Sequence, residues 1–135
     1  MKEISPYALS DGGYRLIFLD ANYRSDSRRF DIVGVQWTDS NLPNEQCDFL
    51  KAAISEASEP CVVCIHENLD PLVDELHNIK NAERIRDIIR KNGKVTLILQ
   101  GHYHPGAEHT IDGIPYVTVP AMCEETVNAY RILTL

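Results

Sequence analysis

The stretch Val95-Thr96-Leu97-Ile98-Leu99-Gln100-Gly101-His102-Tyr103-His104-Pro105-Gly106 decides the fold. Its opening is rich in branched apolar residues and has the length of a strand. Cys61-Val62-Val63-Cys64-Ile65, after Pro60 and before His66, has the same character. Short continuous apolar runs of this kind read as strands buried on both faces, the signature of a parallel sheet. Between them Asn81 is placed to cap a helix that turns Ile85, Ile88 and Ile89 inward, with Gly93 as its stop.

Upstream, Tyr14 to Asp20 reads as a further buried strand, and Asn44 can cap a helix running to about Ser58. In that helix Cys47, Leu50, Ala53, Ile54 and Ala57 share one face. Residues 21–43 between them are loop-like, broken by the apolar piece Phe30 to Trp37. Downstream, Asp112-Gly113 between Glu108–Ile111 and Ile114–Val119 is a hairpin turn, and Asn128 to Leu135 can supply a last strand. Strands alternating with helices predict an α/β chain with a mixed β-sheet and helices on one face. With 135 residues, 44% hydrophobic and 24% charged, residues 1–135 form a single domain.

Thirteen Lys and Arg stand against 20 Asp and Glu, a net charge of −7. This excludes a broad nucleic-acid surface, which needs a basic face. No apolar run approaches the ~20 residues of a membrane span, and the amino terminus has no signal-peptide character. Four cysteines (Cys47, Cys61, Cys64, Cys123) suit a reduced, cytoplasmic chain better than a disulfide framework.

Two buried strands run into histidine: Cys61–Ile65 into His66, and Val95–Gln100 into Gly101-His102-Tyr103-His104. Ligands collect beyond the carboxyl ends of strands in open α/β sheets, so adjacent strands would bring His66, His102 and His104 to one rim. Neutral imidazole ligates zinc, iron, nickel and manganese. Glu67, Asn68 and Tyr103 flank these ligands and could steady a histidine, a water or a substrate, although loop positions are ordinarily exposed. His77 and His109 read as surface residues, and Arg24, Arg28 and Arg29 as a solvated loop able to meet an anion. The charged run Lys80–Arg90 is an outer helix face. Cys61 and Cys64 form a C-x-x-C, but three apart in a strand they face opposite sides and act as small hydrophobes.

Gly101-His102-Tyr103-His104 resembles the Gly-His-x-His signature of calcineurin-like metallophosphoesterases. His66-Glu67-Asn68 sits where that family has an earlier strand-end histidine, and Leu42 to Leu50 is similar to the segment opening its preceding helix. Ile17-Phe18-Leu19-Asp20 resembles the strand before it, and Gly113 to Val117 the closing hairpin. The resemblance implies a two-metal phosphoester hydrolase with divalent manganese, iron or zinc. His66 and His102 would then hold one metal and His104 the other. The family's Asp-x-His, Gly-Asp-x-x-(Asp/Asn) and Gly-Asn-His-(Asp/Glu) motifs are absent, so the likeness is to the carboxyl half of an α/β/β/α sandwich. The expected partners are a phosphate-ester substrate and either the missing amino-terminal half or a second copy. The strands at 15–19, 61–65 and 95–99 are apolar on both faces while the helices cover one, which predicts a homodimer through the open face. The alternative is a non-catalytic, dimerising module holding at most one metal.

Overall fold

The computed structural model describes residues 6–30, 36–124 and 130–135. A six-stranded sheet forms the body, in the order β1-β2-β3-β4-β6-β5. The strands are β1 (Tyr7–Asp11), β2 (Tyr14–Leu19), β3 (Cys61–Ile65), β4 (Val95–Gln100), β5 (Ala107–Ile111) and β6 (Ile114–Thr118). β2, β3, β4 and β6 run parallel, and β1 and β5 close the two edges antiparallel. Helix α1 (Asn44–Glu56) connects β2 to β3, and α2 (Ala82–Asn92) connects β3 to β4. The architecture is α/β with a mixed sheet, as the alternation of patterns predicts.

Both helices lie on one face. Cys47, Leu50, Ala53 and Ile54 of α1 and Ile85, Ile88 and Ile89 of α2 form one buried cluster with Ile17, Val63, Ile65, Ile98 and Tyr116. Each fully buried Ile or Leu here stabilises the fold by roughly 1.5–3 kcal/mol. On the opposite face Val62, Leu97 and Val117 make a smaller cluster with Leu16, Cys64 and Leu99. Cys61 belongs to the helix side and Cys64 to the other, as their spacing requires. All four cysteines are free.

Four features depart from the sequence reading. β1 lies outside the strands the sequence predicts, because an edge strand with four of five residues exposed carries little apolar signal. The helix starts are where they were expected, but neither asparagine caps by its side chain. Asn44 instead accepts from Arg84 at 2.6 Å, tying α1 to α2. Asn81 grips Leu42, accepting from its N–H at 3.0 Å and donating to its carbonyl at 2.8 Å, which pins the start of α1 to that of α2. Finally, the expected last strand is absent from residues 130–135, while 125–129 lie outside the described residues. Leu133 to Leu135 instead border an apolar groove over Leu97 and Val117, and Arg131 pairs with Glu108 at 2.8 Å. Among the described residues no helix is long and apolar enough to cross a membrane.

Candidate metal centre

β3 and β4 are parallel neighbours, so the segments leaving them share a rim. The rings of His66 and His102 are 5.4 Å apart and crossed at 75°. Gly101 permits that approach: a Cβ there would meet Nδ1 and the carbonyl oxygen of His66 at 3.3 Å. The same carbonyl accepts the Gly101 N–H at 2.8 Å. His102 has φ +66°, a left-handed backbone that costs a non-glycine residue roughly 1–2 kcal/mol. Strain of this kind gathers at functional sites.

His66 and His102 border different cavities. His66 edges a depression of about 360 Å³ with Phe18, Cys64 and Leu99, on the sheet face away from the helices. His102 and His104 line a cavity of about 490 Å³ with Trp37, His77, Tyr103 and Glu124. Tyr103, expected beside the ligands, is therefore part of the wall.

Three loop residues read as exposed are not. The ring of His77 lies 5.6 Å from His102 and 5.2 Å from both Trp37 and Tyr103, and its side chain is 26% exposed. Glu67 and Asn68 are buried. His109 is also tied inward, with Nδ1 2.5 Å from the fully buried carboxylate of Asp70. The loop 66–80 turns back on itself instead of running over the surface. Asn68 N–H donates to the His77 carbonyl, and Ile79 N–H to the Asn68 carbonyl. Asp74 closes the turn by accepting from the N–H groups of Leu76 and His77. Asp74-x-x-His77 was the available signal, since an aspartate three before a histidine can close a turn and hold the ring.

Asn68 is the hub. Its Nδ2 donates to Thr118 Oγ1 at 2.9 Å and to the Gly101 carbonyl at 3.2 Å. Its Oδ1 accepts from Asp70 N–H at 3.0 Å and from Gln100 Nε2 at 3.1 Å. One amide thus joins β4, β6 and both histidine-bearing segments.

Carboxylates orient several imidazoles. Asp74 lies 2.7 and 2.9 Å from His77 Nδ1, and Glu124 contacts His104 Nδ1. An ionised carboxylate only accepts, so in each pair Nδ1 carries the proton. Burial, and then the neighbouring His104, lowers the pKa of His66. Burial first, then His66, His77 and His104, brings His102 down to about 4. Both are neutral at pH 7, the form that binds metals. Burial pushes Glu67 up to about 7, with Asp20 adding to the effect. Arg29 is paired with Asp20 at 2.8 Å and Arg28 with Asp26 at 2.6 Å, so neither waits unengaged for a substrate anion.

Among the described residues, no group of three or more His, Cys, Asp or Glu side chains stands ready to hold a metal ion. The donor chemistry nevertheless suits one: neutral imidazoles cluster, and His102 Nε2 is buried with no hydrogen-bond partner among the described residues.

No protein-family profile and no curated protein matches the chain. Among solved structures it is similar to a dimetal phosphatase from Danio rerio, at 18% identity and a TM-score of 0.72. It is also aligned with a 5'-nucleotidase from Staphylococcus aureus, at 10% identity over 24% of that chain; the TM-score of 0.49 carries no weight. At these identities the likeness is one of fold. The alignment covers 85% of this chain and 48% of the dimetal phosphatase, so the chain spans about half the length of the structure whose fold it shares.

Proposed function

We propose that this chain is the carboxyl-terminal half of a metal-dependent phosphoesterase, supplying histidine ligands to a site whose remaining groups come from elsewhere. The observation that carries this reading is the close approach of His66 and His102 across the ends of β3 and β4, in a fold shared with half of a dimetal phosphatase. His66, His102 and His104 are the residues that would hold divalent manganese, iron or zinc. Such ions supply Lewis-acid polarisation of a phosphate ester and offset its charge.

The chain's own side chains do narrower work. Trp37 and Tyr103 wall the cavity beside His102 and His104, where they can exclude water from an ester's organic group. Glu124 fixes the tautomer of His104. Two adjacent cations call for an anionic group between them, but Asp20, Asp70, Asp74 and Glu124 are each engaged, by Arg29, His109, His77 and His104, and burial raises the pKa of Glu67 to about 7, against its ionisation. The isolated chain is therefore expected to bind transition metal weakly and to hydrolyse a phosphodiester slowly or not at all. Elemental analysis, with a bis(p-nitrophenyl) phosphate assay in added manganese, checks this. Turnover of ~1–10³ per second, abolished by His104→Ala, would mark a complete enzyme and overturn the half-domain reading.

The open sheet face favours a second property, self-association. Leu16, Cys64 and Leu99 are only partly buried there, and Tyr7 and Leu9 of β1 are 45% and 40% exposed. The tail covers only the part over Leu97 and Val117. In the half-domain reading this face receives the missing half; in a chain acting alone, a two-fold dimer covers it at least cost. The expected result is a dimeric mass by light scattering at micromolar concentration. A monomeric mass by light scattering, from a chain that circular dichroism shows to be well folded, would contradict it.

A further inference from the structure

One end of the open sheet face is already occupied. Leu133, Thr134 and Leu135 border a groove of about 370 Å³, together with Tyr14, Leu97 and Val117 of the face away from the helices. We propose that residues 130–135 form a releasable strap, which masks the β4–β6 end of this face and must lift before a second copy of the chain can pack there. The proposal rests on the reading that the chain self-associates through this face, and adds what restrains that association.

The first support is alternation. Leu133 and Leu135 are 39% and 54% exposed, whereas Tyr130 and Ile132 are 73% and 83% exposed. An extended chain turns every second side chain the same way, so Leu133 and Leu135 meet the groove while Tyr130 and Ile132 face out. The second is cover. Leu97 and Val117, in the groove, are buried although no helix lies on their face; Leu16, Cys64 and Leu99, outside the groove, are only partly buried. A docking copy needs this whole patch, and the strap stands on part of it. The third is the light hold. Arg131 pairs with Glu108 at 2.8 Å, but both side chains are about half exposed, where an ion pair adds little. No backbone hydrogen bond among the described residues ties 130–135 to the sheet. Side chains alone seat the segment, and it can leave without breaking a ladder.

Each copy lifts its own strap before docking, so the closing equilibrium enters the dissociation constant of the dimer twice. A loosening of about threefold per chain therefore appears as a dimer about ninefold tighter. The experiment measures that constant for full-length chains by sedimentation over a concentration series, with circular dichroism confirming each fold. The double variant Leu133→Asp, Leu135→Asp sets charge against the apolar groove and beside Glu108, and should tighten the dimer at least about tenfold. Arg131→Glu should tighten it by about two- to tenfold, and adding Glu108→Arg to Arg131→Glu should return it to the wild-type value. Added negative charge by itself would weaken a dimer of this acidic chain, so tightening is the opposite of a non-specific effect. An unchanged or weaker dimer in the Leu133→Asp, Leu135→Asp chain would overturn the strap and leave self-association standing. Wild type and both strap variants monomeric throughout the series would overturn the strap and self-association together, without touching the phosphoesterase reading.

Discussion

Glu67→Gln is expected to stabilise the metal-free chain by about 3 kcal/mol at pH 8 and to leave its stability unchanged near pH 4. Glu67 is 2% exposed, and its Oε2 has no hydrogen-bond partner among the described residues. Burial raises its pKa from 4.5 to about 7. Below pH 4.5 the carboxyl is protonated in folded and unfolded chains alike, so glutamine, its neutral isostere, changes nothing. As the pH rises from 4.5 to 7 the unfolded chain ionises while the folded chain resists. The folded state then binds more protons, and its stability falls with pH across that window. A displacement from 4.5 to about 7 corresponds to roughly 3 kcal/mol by pH 8.

His102 works in the opposite direction. Its folded pKa of about 4 lies below the ordinary 6.5, so acidification through that range favours the unfolded chain. The two slopes oppose each other between pH 4.5 and 6.5. Removing Glu67 should expose the acid-side loss due to His102 as a steeper fall in stability below pH 6.5. Urea titrations of both proteins in EDTA at pH 4, 6 and 8 test this. Parallel curves at all three values would mean that Glu67 is solvated in the folded chain.

The strands that position this chemistry were legible because burial on two faces leaves a continuous apolar record. Cys61–Ile65 and Val95–Gln100 fall where the sequence places them, and the Asp112-Gly113 turn joins the expected hairpin. Strand β1 left no comparable record, although Gly12-Gly13 marks its turn with φ values of +56° and +83°. In the candidate site the sequence singles out the strand-end histidines His66, His102 and His104. His77, Glu67 and Asn68 lie in a polar stretch whose path has no periodicity. The loop is drawn in by hydrogen bonds across 9 to 50 positions of sequence, those of Asn68 to His77 and Thr118. Polar composition cannot by itself distinguish a buried network from a solvated loop.

That network sets the second large effect. Asn68→Leu is expected to destabilise the fold by about 3 kcal/mol or more, the cost of leaving several buried polar groups unpaired at ~1–3 kcal/mol each. Leucine retains similar bulk at a fully buried position. It cannot accept from Asp70 N–H and Gln100 Nε2, or donate to Thr118 Oγ1 and the Gly101 carbonyl. Water cannot readily reach these groups, since Asp70, Gln100 and Thr118 are themselves buried. Asn68→Asp should be nearly as harmful near neutral pH: it keeps the acceptors but loses both donors and adds a buried charge. The damage should extend to the histidines. Asn68 holds Gly101, next to His102, and exchanges backbone hydrogen bonds with His77 and Ile79. In the surviving folded fraction, Trp37 emission should shift as its contacts with His77 and His102 loosen. A urea midpoint within error of wild type, with unshifted Trp37 emission, would show that Asn68 does not couple the strand ends to the cavity.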